Sequence, residues 1–301
     1  MPEVENLSRA VLDNRHPLLP IATEIEPRLT QLPGVRAVIF DVYGTLVVSG
    51  SGDVGSADES EPTDQIGDAM AAIGEPRPSA KAGVLESKLR EIIKQTNQSR
   101  LNEQCPKPEV DIVAIWRVLL NEIGLTDLAN NTKKVVRLAA EFESRANPTW
   151  PMPFAIELLE QIGRSDLALG IVSNAQEFTL SLVADLQDAT NVEKDLGRIG
   201  FDLNLCHFSN RYRQSKPGPR MFDALSDGLK RLSIHPNETI YVGNDMLNDI
   251  YAATQAGLRT AWFVGDARSC RPRSDDPRCQ DLQADIVTTD LMQLLSCLAI
   301  S

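Results

Sequence analysis

Residues 35–46 read VRAVIFDVYGTL, and this stretch decides the fold. Apolar β-formers run from Val38 to Phe40, and Asp41, Tyr43, Gly44 and Thr45 follow at once. An apolar run of strand length that ends in a Gly-containing turn predicts a parallel strand buried on both faces. Outward from it, further buried strands are expected at Leu167–Val172, Leu203–Phe208, Thr239–Val242, Thr260–Val264 and Asp285–Val287. Helical spacing lies between them, at Ala155–Ile162, Phe178–Leu186, Pro219–Leu232, Asn248–Ala256 and Leu291–Leu298. Alternating strands and helices predict an α/β fold with a Rossmann-like, doubly wound parallel sheet. Ligands of such sheets bind past the carboxyl ends of the strands, where this chain collects its polar residues.

Between the first strand and Trp150 the pattern changes. Gly50–Asp68 is rich in Gly, Ser, Asp and Glu without Lys or Arg, and predicts a flexible acidic loop. Helices are expected at Val84–Thr96, Val110–Ile123 and Val135–Phe142 from their apolar spacing. The expected organisation is a core of 1–48 and 150–301, with 1–34 an N-terminal extension, and an all-helical cap of 49–149. Pro151–Pro153 returns the chain to the core as a candidate hinge. Arg268–Asp281 is expected to be an exposed loop.

With 301 residues, 42% hydrophobic and 24% charged, the chain has ample material for a core. The net charge of −12 argues against general nucleic-acid binding, while leaving room for a small anionic substrate in a locally positive pocket. The apolar runs are too short to cross a membrane, and the N-terminus lacks the apolar centre of a secretory signal. Five scattered cysteines without a Cys-x-x-Cys pair predict free thiols and a cytoplasmic location. His207 is expected to be a satisfied core histidine. Trp116 and Trp150 are expected to serve core or hinge packing.

Four clusters stand at strand ends: Asp41-Val-Tyr43-Gly-Thr45, Ser173-Asn174, Lys216-Pro217, and Gly243-Asn244-Asp245 with Asp249. Together they hold a nucleophilic carboxylate, hydroxyl and amide donors, a fixed cation and a second carboxylate group. Two carboxylate groups at neighbouring strand ends repel, and Mg²⁺ between them relieves that repulsion. A carboxylate held against an electrophile forms covalent intermediates.

In this order, the four clusters resemble the motifs of the haloacid dehalogenase-like superfamily, and the helical insertion resembles its C1-type cap. The resemblance implies Asp41 as nucleophile and metal ligand, with the backbone carbonyl of Tyr43 on the same metal. It implies that Thr45, Ser173 and Asn174 orient substrate or nucleophile, and that Lys216 holds Asp41 and the transferring group. Asn244, Asp245 and Asp249 would complete the metal side, with Asn244 standing where the family most often has Asp. Family phosphatases carry a second Asp, the general acid, where this chain has Tyr43. Tyr there resembles the 2-haloacid dehalogenases, whose halide leaves without a proton, whereas Asp245 and Asp249 resemble the metal-dependent members. The leading expectation is a Mg²⁺-dependent phosphatase of a small phosphorylated metabolite, acting through an aspartyl-phosphate at Asp41. The alternative is a dehalogenase-type hydrolase with an aspartyl ester at Asp41. A reading of another class is a weakly catalytic binding protein. Substrate identity and oligomeric state stay open.

Overall fold

The computed structural model describes residues 14, 16–51, 64–176, 179 and 200–298. Its centre is a six-stranded parallel sheet. The strands are β1 (Ala37–Phe40), β4 (Ala168–Ser173), β5 (Phe201–Phe208), β6 (Thr239–Gly243), β7 (Arg259–Phe263) and β8 (Ile286–Thr288), in the order β5-β4-β1-β6-β7-β8. β2 (Val47–Ser49) and β3 (Thr149–Pro151) form a separate antiparallel pair. All six expected core strands are present, with ends shifted by up to two residues.

β1 is central because it is apolar on both faces. Val38 and Phe40 pack with Leu158, Leu159 and Ile162 of helix Ala155–Gly163 and with Leu291 and Leu294 near the C-terminus. Ala37 and Ile39 point to the other face, against Met221, Leu225 and Leu229 of helix Arg220–Arg231. Alternation along one strand thus covers the sheet on both sides.

Helices Gln65–Ala72, Val84–Arg100, Ile112–Glu122, Thr126–Asn130 and Thr132–Ala146 lie between β2 and β3. They bury an apolar cluster of their own, which includes Ile66, Leu89, Trp116, Leu119 and Leu138. The first and fourth of these helices were not anticipated. The loop expected over 50–68 is therefore corrected at its end: Asp64 caps a helix by accepting from the Gly67 amide, and Asp64 and Asp68 pair with Arg77. Residues 52–63 and most of the expected helix Phe178–Leu186 lie outside the described residues. The helix expected over Asn248–Ala256 begins earlier, as a π-helical turn Met246–Tyr251 followed by Ala252–Gln255.

Part of the N-terminal extension straps the far edge of the sheet. Arg28 bridges antiparallel to Val287, and Leu32 donates its amide to the Cys297 carbonyl at 2.8 Å. The loop 268–281 is irregular and, apart from buried Ser269 and Cys279, exposed or half-buried, and Arg271 bridges to Asp245. All five cysteines are free. Among the described residues no helix is long and apolar enough to cross a membrane.

Candidate active site

Asp41 follows β1 directly and is held by its own amide, which donates to the Val242 carbonyl of β6 at 2.9 Å. The chain then turns sharply at Gly44, whose φ is +76°. A Cβ there would sit 2.5 Å from Ser269 and 2.8 Å from Asn244 Nδ2, so only glycine allows the turn to approach the β6 end.

Lys216 enters from the loop after β5 and is 3% exposed. Its Nζ donates to Asp41 Oδ1 at 2.8 Å, to Asp249 Oδ1 at 2.6 Å and to the Val172 carbonyl at 3.3 Å, and lies 2.8 Å from the Tyr241 hydroxyl. Burial opposes the Lys216 charge, but Asp249 and Asp41 outweigh it and raise its pKa. Burial also pushes Asp249 up, against the opposing pull of Lys216. One ammonium thus joins two buried carboxylates at adjacent strand ends. The Asn174 side chain accepts from the Lys216 amide at 2.8 Å, and so holds the lysine rather than the nucleophile. Ser173 is fully buried beside it.

The fourth cluster divides. Gly243 lets Asp249 close in, since a Cβ would lie 2.4 Å from its Cγ. Asp249 Oδ2 accepts from the Asp245 amide at 2.9 Å. Asp245 turns its carboxylate elsewhere: it accepts from the amides of Leu247 and Asn248, from the Asn248 side chain, and from Arg273 at 2.6–3.2 Å. Asn244 accepts from Thr45 at 3.2 Å and donates to the Ser269 carbonyl at 2.6 Å.

Of the expected metal group of Asp41, the Tyr43 carbonyl, Asn244, Asp245 and Asp249, the structure brings Asp41 and Asp249 together on Lys216 and turns Asp245 toward Arg273. Among the described residues no three His, Cys, Asp or Glu side chains converge on one point. Asp245 is committed to a helix start and to Arg273, Asp249 has both oxygens engaged, and Asn244 carries no charge. Lys216 already supplies the cation that magnesium would supply, so the side chains as placed do not fit that ion.

Tyr43 is 6% exposed, and its hydroxyl lies 3.0 Å from Thr179 Oγ1. Burial, then the charge of Glu143, push its pKa far up, so the hydroxyl keeps its proton near neutrality. His207 reaches Tyr212 at 2.7 Å through Nδ1, but its Nε2 is buried without a partner, so it is only half satisfied. Burial lowers its pKa to about 4.

A cavity of about 550 Å³ opens beside these groups. Lys216, Asn174 and Arg273 line it from the sheet side, and Arg90, Lys94, Trp116 and Glu143 from the helices. Tyr241, Arg273 and Glu143 escaped the sequence reading. Tyr241 sits inside an apolar strand and reads as core, and Arg273 and Glu143 belong to no motif.

The family model for haloacid dehalogenase-like hydrolases matches residues 70–263. A glyceraldehyde 3-phosphate phosphatase of Pyrococcus furiosus is 35% identical over 83 residues, which is 28% of this chain and 31% of that protein. The chain thus matches less than a third of that curated relative. A 2-haloacid dehalogenase from Pseudomonas syringae pv. Tomato DC3000 superposes with a TM-score of 0.52 at 20% identity, over 88% of this chain and 98% of the other. A defluorinating L-2-haloacid dehalogenase does so with a TM-score of 0.51 at 21% identity, over 90% and 100%. At that identity the likeness concerns the fold alone. The match over most of the sheet and its helices places the chain in the haloacid dehalogenase-like hydrolase family, and it is a hydrolase of that family.

Proposed function

We propose that Asp41 is the nucleophile of a hydrolase acting on a small anionic substrate whose leaving group departs without a proton. The observation that carries this reading is the Lys216 ammonium, 2.8 Å from Asp41 Oδ1 and 2.6 Å from Asp249 Oδ1. It holds the Asp41 carboxylate in one orientation, which a carboxylate nucleophile requires. Residues 49–149 act as the cap and residues 1–48 with 150–301 as the core. The reading draws on Arg90, Lys94 and Lys107, which bring positive charge to a cavity in an otherwise acidic chain.

Position 43 decides the leaving group. Tyr43 offers no acid, so the strand-end residues release unaided only a weak base such as halide. Asp41 then displaces halide from carbon, the C–halogen bond breaks as the aspartyl ester forms, and water cleaves the ester to return the carboxylate. A second reading, transfer of a phosphoryl group to Asp41, is favoured by the local likeness to the Pyrococcus phosphatase. Magnesium belongs to that reading.

The test is halide release from 2-chloropropionate beside phosphate release from alkyl phosphates and acyl phosphates. Each is run with Mg²⁺ and with EDTA, in the wild type and in Asp41→Asn. The expected result is halide or acyl-phosphate turnover that EDTA leaves intact and Asp41→Asn abolishes. Mg²⁺-dependent turnover of alkyl phosphates would overturn the leaving-group argument, and turnover surviving in Asp41→Asn would overturn the nucleophile.

A further inference from the structure

Glu109 stands between helices Val84–Arg100 and Ile112–Glu122, and its carboxylate accepts four hydrogen bonds. Its Oε1 takes the Val110 amide at 3.0 Å and Gln176 Nε2 at 3.1 Å. Its Oε2 takes Ser209 Oγ at 2.8 Å and Ser215 Oγ at 3.0 Å. A carboxylate has about four lone-pair sites, so this one has none left for a ligand. Burial opposes its charge, and the four donors offset part of that effect. Glu109 lines the cavity, yet all its bonding is directed at the protein.

The donors belong to the two loops that carry Asn174 and Lys216. Gln176 follows Asn174 and Ala175, and the Ala175 amide donates to Ser209 Oγ at 2.9 Å. Ser215 directly precedes Lys216. The backbone runs the same way. Pro108 bridges antiparallel to Gln214, the Glu109 amide donates to the Arg213 carbonyl at 3.2 Å, and the Ser215 amide donates to the Lys107 carbonyl at 2.8 Å. The next amide, that of Lys216, donates to the Asn174 side chain at 2.8 Å. Two successive amides are thus held by two different segments, one beside Glu109 and one after β4. Lys216 Nζ reaches Asp41 from this doubly held backbone.

We propose that Glu109 is a positioning residue for the reaction. Through Ser215, Ser209 and Gln176 it sets the backbone from which Lys216 reaches Asp41. This rests on the proposed function for what Lys216 does to the nucleophile, while the placement of Lys216 is measurable without it.

Two measurements on the full chain test it. Amide hydrogen exchange, resolved to Ser215 and Lys216 by mass spectrometry, needs no substrate. Glu109→Ala should speed exchange at both amides by about tenfold or more, because the loop then opens locally more often. Glu109→Gln keeps two bonding positions and should stay within about threefold of wild type. The second measurement is kinetic, on the best substrate of the halide and phosphate panels. Glu109→Ala should lower kcat by about tenfold to a hundredfold while KM stays within about threefold, since a small misplacement of a catalytic group acts on the chemical step. Glu109→Gln should retain most of kcat. Ser215→Ala should lower kcat in the same direction, and the double variant should lose no more than Glu109→Ala alone, because the two residues act in series. Where Glu109→Ala does not fold, Ser215→Ala carries both readings. Unchanged exchange at Lys216 would overturn the proposal. So would a loss confined to KM, equal damage in Glu109→Gln and Glu109→Ala, or multiplied losses in the double variant. Failure of the nucleophile reading would show instead as turnover surviving in Asp41→Asn, and if neither panel is turned over, the exchange result alone decides the role of Glu109.

Discussion

The two walls of the cavity are built on opposite terms. On the sheet side the polar atoms are partnered: Lys216 Nζ has four contacts, Asp249 has both oxygens engaged, and Asp245 is held by Arg273 and its helix start. On the helical side Asn97 Oδ1 and Trp116 Nε1 are buried without a partner, and Glu143 leans on the Asn147 amide. Saturated networks hold charged groups in one geometry before a substrate arrives, which is where electrostatic catalysis gets its strength. The sheet side is therefore the place to look for chemistry.

The sharpest way to break this contrast is to remove the cation on the sheet side. Lys216→Met leaves Asp41 and Asp249 buried close together without the ammonium that joins them. Removing one partner of a buried ion pair costs about 3–5 kcal/mol, because the remaining charge is uncompensated. Urea unfolding should show a loss of that size, and turnover should fall by about 10² to 10³ or more. A variant with unchanged stability and activity within tenfold of wild type would mean that the network is not what sets Asp41.

A smaller effect is expected on the helical side, and it depends on pH. Burial raises Glu143 from the ordinary glutamate range to about 7, against the opposing pull of the Asn147 amide. Between about pH 4.5 and 7 the folded chain therefore keeps a proton that the unfolded chain has released. Glu143 thus contributes stability that is fully present below about pH 4.5 and is lost as pH rises through 7. His207, lowered to about 4, acts in the opposite sense over part of that window. The difference between wild type and Glu143→Gln isolates the Glu143 contribution, at most about 3 kcal/mol. The gap in Tm should move in the variant's favour from pH 5 to 8. A constant gap would show that Glu143 is already ionised and partnered, and would blur the distinction between the two walls.

How much of this was legible in the sequence follows the same division. The strand ends were readable because apolar runs of four to six residues give way abruptly to Asp41, Ser173 and Gly243, and period-two burial leaves little freedom there. Asp41 and Lys216 were brought together as expected, since parallel strands place their carboxyl ends side by side. The fate of Asp245 was not readable. It depends on Arg273, which approaches from a loop without periodicity and pairs with it across 28 residues. The π-helical turn at Met246–Tyr251 escaped for a related reason: apolar spacing does not distinguish it from the α-helix that follows. The helical wall was legible as helices and no further. Asn97, Glu143 and Asn147 look like ordinary surface polar residues until packing encloses them.

The smallest expected effect bears on Tyr43, which borders both walls through Thr179 and through the charge of Glu143. Tyr43→Phe removes a single buried hydroxyl. Thr179 keeps a partner, because its Oγ1 also accepts from the Gln176 amide at 3.1 Å. The stability cost should therefore be about 1 kcal/mol, the ordinary net value of one hydrogen bond. If Tyr43 takes no part in proton transfer, kcat on the best substrate from the halide and phosphate panels should stay within about threefold of wild type. A general acid or base at this position would instead lose about 10² to 10⁴. Two orders of magnitude separate these outcomes, so one kinetic measurement decides whether the hydroxyl at position 43 is packing or chemistry. A large loss would move the acid back onto the first motif and reopen substrates with poor leaving groups.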